Sequence, residues 1–91
     1  MKHQTPNTLK EHRERAGLLQ SDIAFILGME KVRGTARIRQ WEKGNSCPDM
    51  ETLIKICMLY NVEPVDIYPD MAKRIHQVLG KIIKAQKKSK K

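Results

Sequence analysis

Aromatic residues are scarce in this chain: one Phe, one Trp and two Tyr among 91 residues. Period-two runs of β-branched and aromatic residues are missing, and no Asn-Gly or Asp-Gly hairpin signal occurs. A sheet is therefore excluded as the basis of the fold. Cysteine is scarce too. Cys47 and Cys57 are too few for a disulfide framework and form no C-x-x-C pair, so they read as reduced thiols of a cytoplasmic protein. No apolar run is long enough to span a bilayer, and the N-terminal residues lack the apolar stretch of a secretory signal. No membrane association is expected. His3, His12 and His76 are scattered without metal-ligand spacing, so neither a metal nor a cofactor is expected. Without a carboxylate pair, a Ser/Cys–His arrangement or a Gly-rich phosphate loop, the chain does not read as an enzyme.

Positive charge is plentiful, at a formal net +8, but its placement matters more than its sum. Residues 1–30 are balanced. Residues 31–45 carry five cations against Glu42, residues 46–72 are net acidic, and residues 73–91 carry Lys and Arg with no acid. The basic segment 31–45 beside an acidic one gives a polarised surface, one side of which can meet phosphate.

Composition and periodicity predict an all-α fold. A first helix is expected over about 7–16, with Thr8 and Glu11 as a capping box, Thr5 before Pro6 as a competing start, and Gly17 as the stop. A second covers about 20–27, with Ile23, Ala24 and Leu27 as its buried stripe. Leu19 stands where a capping hydroxyl is expected. Phe25 lies off that stripe and is expected to cover the following turn or the last helix. A fourth helix runs from 50 to 60 behind Asp49 and is apolar nearly all round. A short fifth helix begins at Pro64 and reaches Tyr68. A sixth, over about 70–86, repeats Met71, Ile75, Val78, Leu79, Ile82 and Ile83 on one stripe. Residues 87–91 read as a disordered lysine-rich tail.

The third helix, expected over 35–43, carries the chemistry. Wound at about 100° per residue, it sends Ile38 and Trp41 to one side. Lys43, Ala36, Arg39 and Gln40 point the opposite way, with Thr35 and Arg37 on the flanks. Trp41 is the only tryptophan and reads as core, not as a stacking platform. A duplex major groove admits one α-helix, and such a helix needs a buried side and a hydrogen-bonding side. Arginine suits guanine O6/N7, glutamine suits adenine N6/N7, and the methyls of Thr35 and Ala36 suit thymine. Lys43, Asn45 and the preceding loop cations Lys31 and Arg33 suit phosphate.

The set "LLQSDIAFILG" (18–28), "IRQWEKG" (38–44), Pro48 and "ETLIKICMLYNVEPVDIY" (51–68) resembles the Cro/CI-type helix-turn-helix family, also called XRE or lambda-repressor-like. The resemblance covers about 9–68. It implies a five-helix DNA-binding domain that acts as a dimer on double-stranded DNA. Gln20 matches the family glutamine that meets a phosphate. Thr35, Ala36, Arg39 and Gln40 match base-reading positions, and Arg37 and Lys43 match positions near the backbone. Arg13 and Glu42 match a pair that ties the first helix to the end of the third. Two features depart from the pattern. The stretch from Gly28 to Trp41 is longer by about four residues, placed here in an enlarged turn "MEKVRG", and Leu19 replaces the usual hydroxyl.

The expected organisation is thus a helix-turn-helix domain over 1–68, an additional amphipathic helix over 69–86, and the tail. The expected function is a dimeric repressor on a palindromic operator, cytoplasmic and nucleoid-associated. The alternative is an antitoxin-like interaction module whose last helix takes a protein partner. That helix could fold back on its own domain, pair with a second copy or hold another protein, and the outer face of the third helix could be merely solvated.

Overall fold

The computed structural model describes residues 4–89, which form six helices and no strand. These are α1 (Leu9–Arg15), α2 (Gln20–Ile26), α3 (Lys31–Lys43), α4 (Met50–Tyr60), α5 (Pro64–Ile67) and α6 (Pro69–Ser89). The first five enclose one core of Leu9, Ile23, Ala24, Ile38, Trp41, Ile56, Cys57, Ile67 and Tyr68. Partly buried Leu27, Met29, Leu53 and Tyr60 pack against it. Apolar residues recurring at helical spacing meet there, which is why short helices of modest intrinsic stability persist.

α2 and α3 approach more closely than an ordinary helix pair because of Gly34. A Cβ added at Gly34 would lie 2.7 Å from Met29 Cβ and 2.9 Å from Ala24 Cβ. This corrects the expected start of the third helix. Gly34 is not a turn residue. It is an interior helical position whose missing side chain lets α3 rest on α2. The helix begins one turn earlier, at Lys31, because Glu30 caps it: the Glu30 carboxylate accepts the Arg33 backbone N–H at 2.7 Å. The enlarged turn is therefore an extra turn of helix, and Lys31 and Arg33 stand on it instead of in a loop.

Capping differs elsewhere as well. The Thr8–Glu11 box does not form. The Thr8 hydroxyl donates to the Asp66 carbonyl at 2.7 Å, and the Asn7 side-chain oxygen accepts from Leu9 N–H at 3.1 Å. This exchange fastens α1 to α5. At α2 the carboxylate of Asp22 accepts the Leu19 backbone N–H at 2.7 Å, so a side chain inside the first turn supplies one of the missing end contacts. The N-terminal segment crosses the end of α3: Thr5 N–H donates to Gly44 C=O at 2.9 Å, and the Asn7 amide donates to Trp41 C=O at 3.1 Å. Gly44 sits at φ 81°, and a side chain there would collide with the Thr5 backbone.

α6 projects from this body, giving the molecule a long dimension of 57 Å. Its helix continues to Ser89, past the expected boundary at 86, so residues 87–89 are helical. The rest of the expected tail, residues 90 and 91, lies outside the described residues, as does His3. α6 does not fold back. Ile75, Val78, Leu79, Ile82 and Ile83 all stand about half-exposed. Phe25 covers neither the turn nor α6; it is 84% exposed.

Candidate nucleic-acid interface

α3 is anchored on its inner side by Gly34, Ile38 and Trp41, all buried. Facing the other way are Val32, Ala36, Arg39, Gln40 and Lys43, all exposed. They recur at i, i+4, i+7, i+8 and i+11, one continuous helical stripe about 17 Å long at 1.5 Å per residue. Arg33 borders it and Lys31 lies one turn before Thr35, both exposed. No described segment covers these side chains.

Each residue of the sequence-derived site has a definite place. Ala36, Arg39, Gln40 and Lys43 share the open stripe. Arg37 is exposed on the flank, lining a shallow cleft with Trp41, Asp49 and Thr52. Thr35 departs from expectation. It is half-buried, and its hydroxyl oxygen is enclosed without a hydrogen-bond partner among the described residues, so it does not face outward. With α3 starting at Lys31, Thr35 occupies the second turn, where its flank position is turned toward the body. Asn45 is exposed but committed: its amide donates to the Gln40 side-chain oxygen at 2.7 Å, and its own oxygen accepts from Gln4 at 3.2 Å. This contact orients the Gln40 amide: Nε2 is left to donate to adenine N7, and Oε1, which has to accept from adenine N6 in a bidentate contact, keeps one lone pair beside the Asn45 bond.

Beneath the C-terminal end of the stripe lies an ion pair. Arg13 Nε meets Glu42 Oε2 at 2.6 Å and Arg13 Nη2 meets Oε1 at 3.0 Å, a two-point fork. Arg13 Nη1 donates to Leu18 C=O at 2.9 Å. Gln20 Nε2 donates to Glu42 Oε1 at 3.1 Å. The side chains of the pair are nearly inaccessible. Donating hydrogen bonds to Glu42 raises the Arg13 pKa further above its ordinary value. The cluster joins α1, the start of α2 and the end of α3, which holds the angle of α3. Gln20 thus spends an amide donor on Glu42, where sequence reasoning aims it at phosphate.

Above this cluster opens a groove of about 520 Å³, lined by Lys10, Leu19, Gln20, Arg39 and Lys43. Three cations on its rim suit an anionic strand passing beside the stripe. Two members of this surface were missed by sequence reasoning. Lys10 gave no signal, because only folding sets α1 beside the end of α3. Val32 was legible: it continues the Ala36, Arg39, Lys43 spacing backwards, once Glu30 is taken as the cap.

No described helix is long and apolar enough to cross a membrane. No curated protein and no solved structure matches the chain. The family described as helix-turn-helix matches residues 9–67, the whole of α1 through α5. That match covers well over half of the chain and falls on the elements that carry the anchored, outward-facing α3. The chain belongs to the Cro/CI-type (XRE, lambda-repressor-like) helix-turn-helix family of DNA-binding regulators.

Proposed function

We propose that this protein is a sequence-specific transcriptional repressor that occupies a palindromic operator as a homodimer in the cytoplasm, associated with the nucleoid. One observation carries the reading: the exposed stripe of Val32, Ala36, Arg39, Gln40 and Lys43 on a helix whose opposite side is locked into the core. Arg39 carries the paired donors that read guanine O6 and N7, and Gln40 the donor and acceptor that read adenine N7 and N6. Val32 and Ala36 offer apolar contact to thymine methyls. Lys10, Lys31, Arg33, Arg37 and Lys43 neutralise phosphates on either side of the groove. Asn45 positions Gln40, and Gln20 supports the same region through Glu42.

The extra turn lengthens the reading helix at its N-terminal end, the end that meets base edges in helix-turn-helix proteins. Selection from a random duplex pool tests the reading. Enrichment of a two-fold symmetric motif with half-sites about one helical turn apart is expected. A pool that stays unenriched while the protein binds all duplexes alike refutes sequence-specific control.

A further inference from the structure

Residues 4–7 precede α1 and lie across the C-terminal end of α3. A helix ends in carbonyls that lack partners within it. At this end the Gly44 and Asn45 backbone N–H groups donate to the Trp41 and Gln40 carbonyls, each at 3.0 Å. The N-terminal segment supplies further donors. The Asn7 amide reaches the Trp41 carbonyl at 3.1 Å and the Glu42 carbonyl at 3.4 Å, and Thr5 N–H reaches the Gly44 carbonyl at 2.9 Å. The Asn7 side-chain oxygen accepts Leu9 N–H at 3.1 Å, so one side chain holds the start of α1 and the end of α3 together.

Side-chain amides carry this strap on to the reading face. Gln4 Nε2 donates to Asn45 Oδ1 at 3.2 Å, and Asn45 Nδ2 donates to Gln40 Oε1 at 2.7 Å. The donors run one way. With its oxygen held by Gln4, Asn45 turns its NH₂ group to Gln40, and Gln40 then sets its oxygen beside Asn45 and its nitrogen toward the groove. Without Gln4 the Asn45 amide can turn over and offer its oxygen to Gln40 Nε2. The Gln40 oxygen then faces the groove instead. A nitrogen donor suits adenine N7, whereas an oxygen acceptor suits the N4 amino group of cytosine. Which end of the amide is presented is therefore a choice of base.

We infer that Gln4 is a positioning residue for base selectivity: through Asn45 it sets the Gln40 amide and so the preference for adenine over cytosine at the base that Gln40 reads. The Thr5 and Asn7 contacts keep Gln4 over Asn45. This rests on the base-reading role of Gln40 proposed above. Arg39 carries donors only, so turning it changes nothing that it offers, and the base it reads is the internal control.

The test uses the full chain and an operator from the duplex-pool selection, with each base pair replaced in turn by the other three. Gln40→Ala locates the position that Gln40 reads. There Gln4→Ala is expected to lower the preference for adenine over cytosine about two- to tenfold, the worth of one hydrogen bond. Discrimination at the Arg39 position is expected to stay unchanged, as is the urea midpoint, since Gln4 is exposed. Gln4→Lys keeps a donor for Asn45 and is expected to restore the preference; its added charge strengthens all duplexes alike and cancels in the ratio. Asn45→Asp can only accept from Gln40 Nε2, and is expected to move the preference toward cytosine. A Gln4→Ala protein with the parent's profile, or one that loses discrimination equally at every position, overturns the inference while the reading face stands. A Gln40→Ala protein that relaxes no position removes the base-reading role of Gln40 and the inference with it.

Discussion

Replacing Gly34 by alanine places a methyl group into the tight contact of α3 with Ala24 and Met29. The new Cβ would stand 2.7 Å from Met29 Cβ and 2.9 Å from Ala24 Cβ. Neither neighbour can swing away, since each atom is bonded directly to backbone. Relief to ordinary contact, near 3.5–4.0 Å between carbons, therefore needs α2 and α3 to separate. Overpacking of this kind costs about 1–3 kcal/mol. Against that, alanine in a helix interior is worth about 0.5–1 kcal/mol over glycine. The balance runs from near zero to a net loss of about 2.5 kcal/mol. Gly80→Ala is the matched control. Gly80 lies inside α6 with nothing within 4 Å of the added atom, so only the helix term acts and a gain of about 0.5–1 kcal/mol is expected. Urea unfolding at a fixed chain concentration reads both, with unchanged slopes confirming that the midpoint shifts report stability. A Gly34→Ala protein as stable as Gly80→Ala would refute the close approach and, with it, the argument for where α3 begins.

Three further outcomes follow from the same contacts. Truncating Arg13 or Glu42 to alanine leaves a buried charge unpaired, and each is expected to lose about 3–5 kcal/mol in chemical unfolding; a loss under 1 kcal/mol would contradict the burial of the pair. The two tyrosines are expected to resist ionisation in the native protein. Burial, helped by Glu42, pushes Tyr60 up to about 12 from 10.0, and burial pushes Tyr68 up as well. Below pH 10 folded and unfolded chains bind these protons alike. Between pH 10 and 12 the unfolded chain releases a proton that the folded chain keeps, so stability falls as pH rises through that window. Phenolate absorbance that rises around pH 10 before the fold is lost would show the rings exposed. On a selected operator, Arg39→Ala is expected to lose about 1–3 kcal/mol of discrimination at one base position, whereas Lys43→Ala and Lys10→Ala weaken all duplexes alike and each lower the salt slope by about 1. Base-dependent losses for either lysine would move it from phosphate to base contact.

Local chemistry in the sequence determined much of this protein. Periodicity alone sends Ile38 and Trp41 inward and Ala36, Arg39, Gln40 and Lys43 outward, because neighbouring turns of a helix bring those positions to one side. Gly17, Gly28, Gly44 and Asn61 mark helix ends, and all four adopt positive φ there. The α6 stripe is equally plain in the order of its aliphatic residues. Tertiary structure alone decided the matters in which one group chooses among distant partners. Gly34 looks like a turn until Ala24 and Met29 arrive against it. Thr8 leaves its own helix for the Asp66 carbonyl 58 positions away. Gln20 turns to Glu42, Asn45 to Gln40, and Thr35 is enclosed rather than presented. Lys10 reaches the groove beside Arg39 and Lys43 only because α1 packs beside the end of α3. Spacing along the chain sets which side chains share a helix face, since that is geometry within a few residues. Which donors and methyl-sized gaps meet across helices depends on packing between segments far apart in sequence, and no local pattern encodes it.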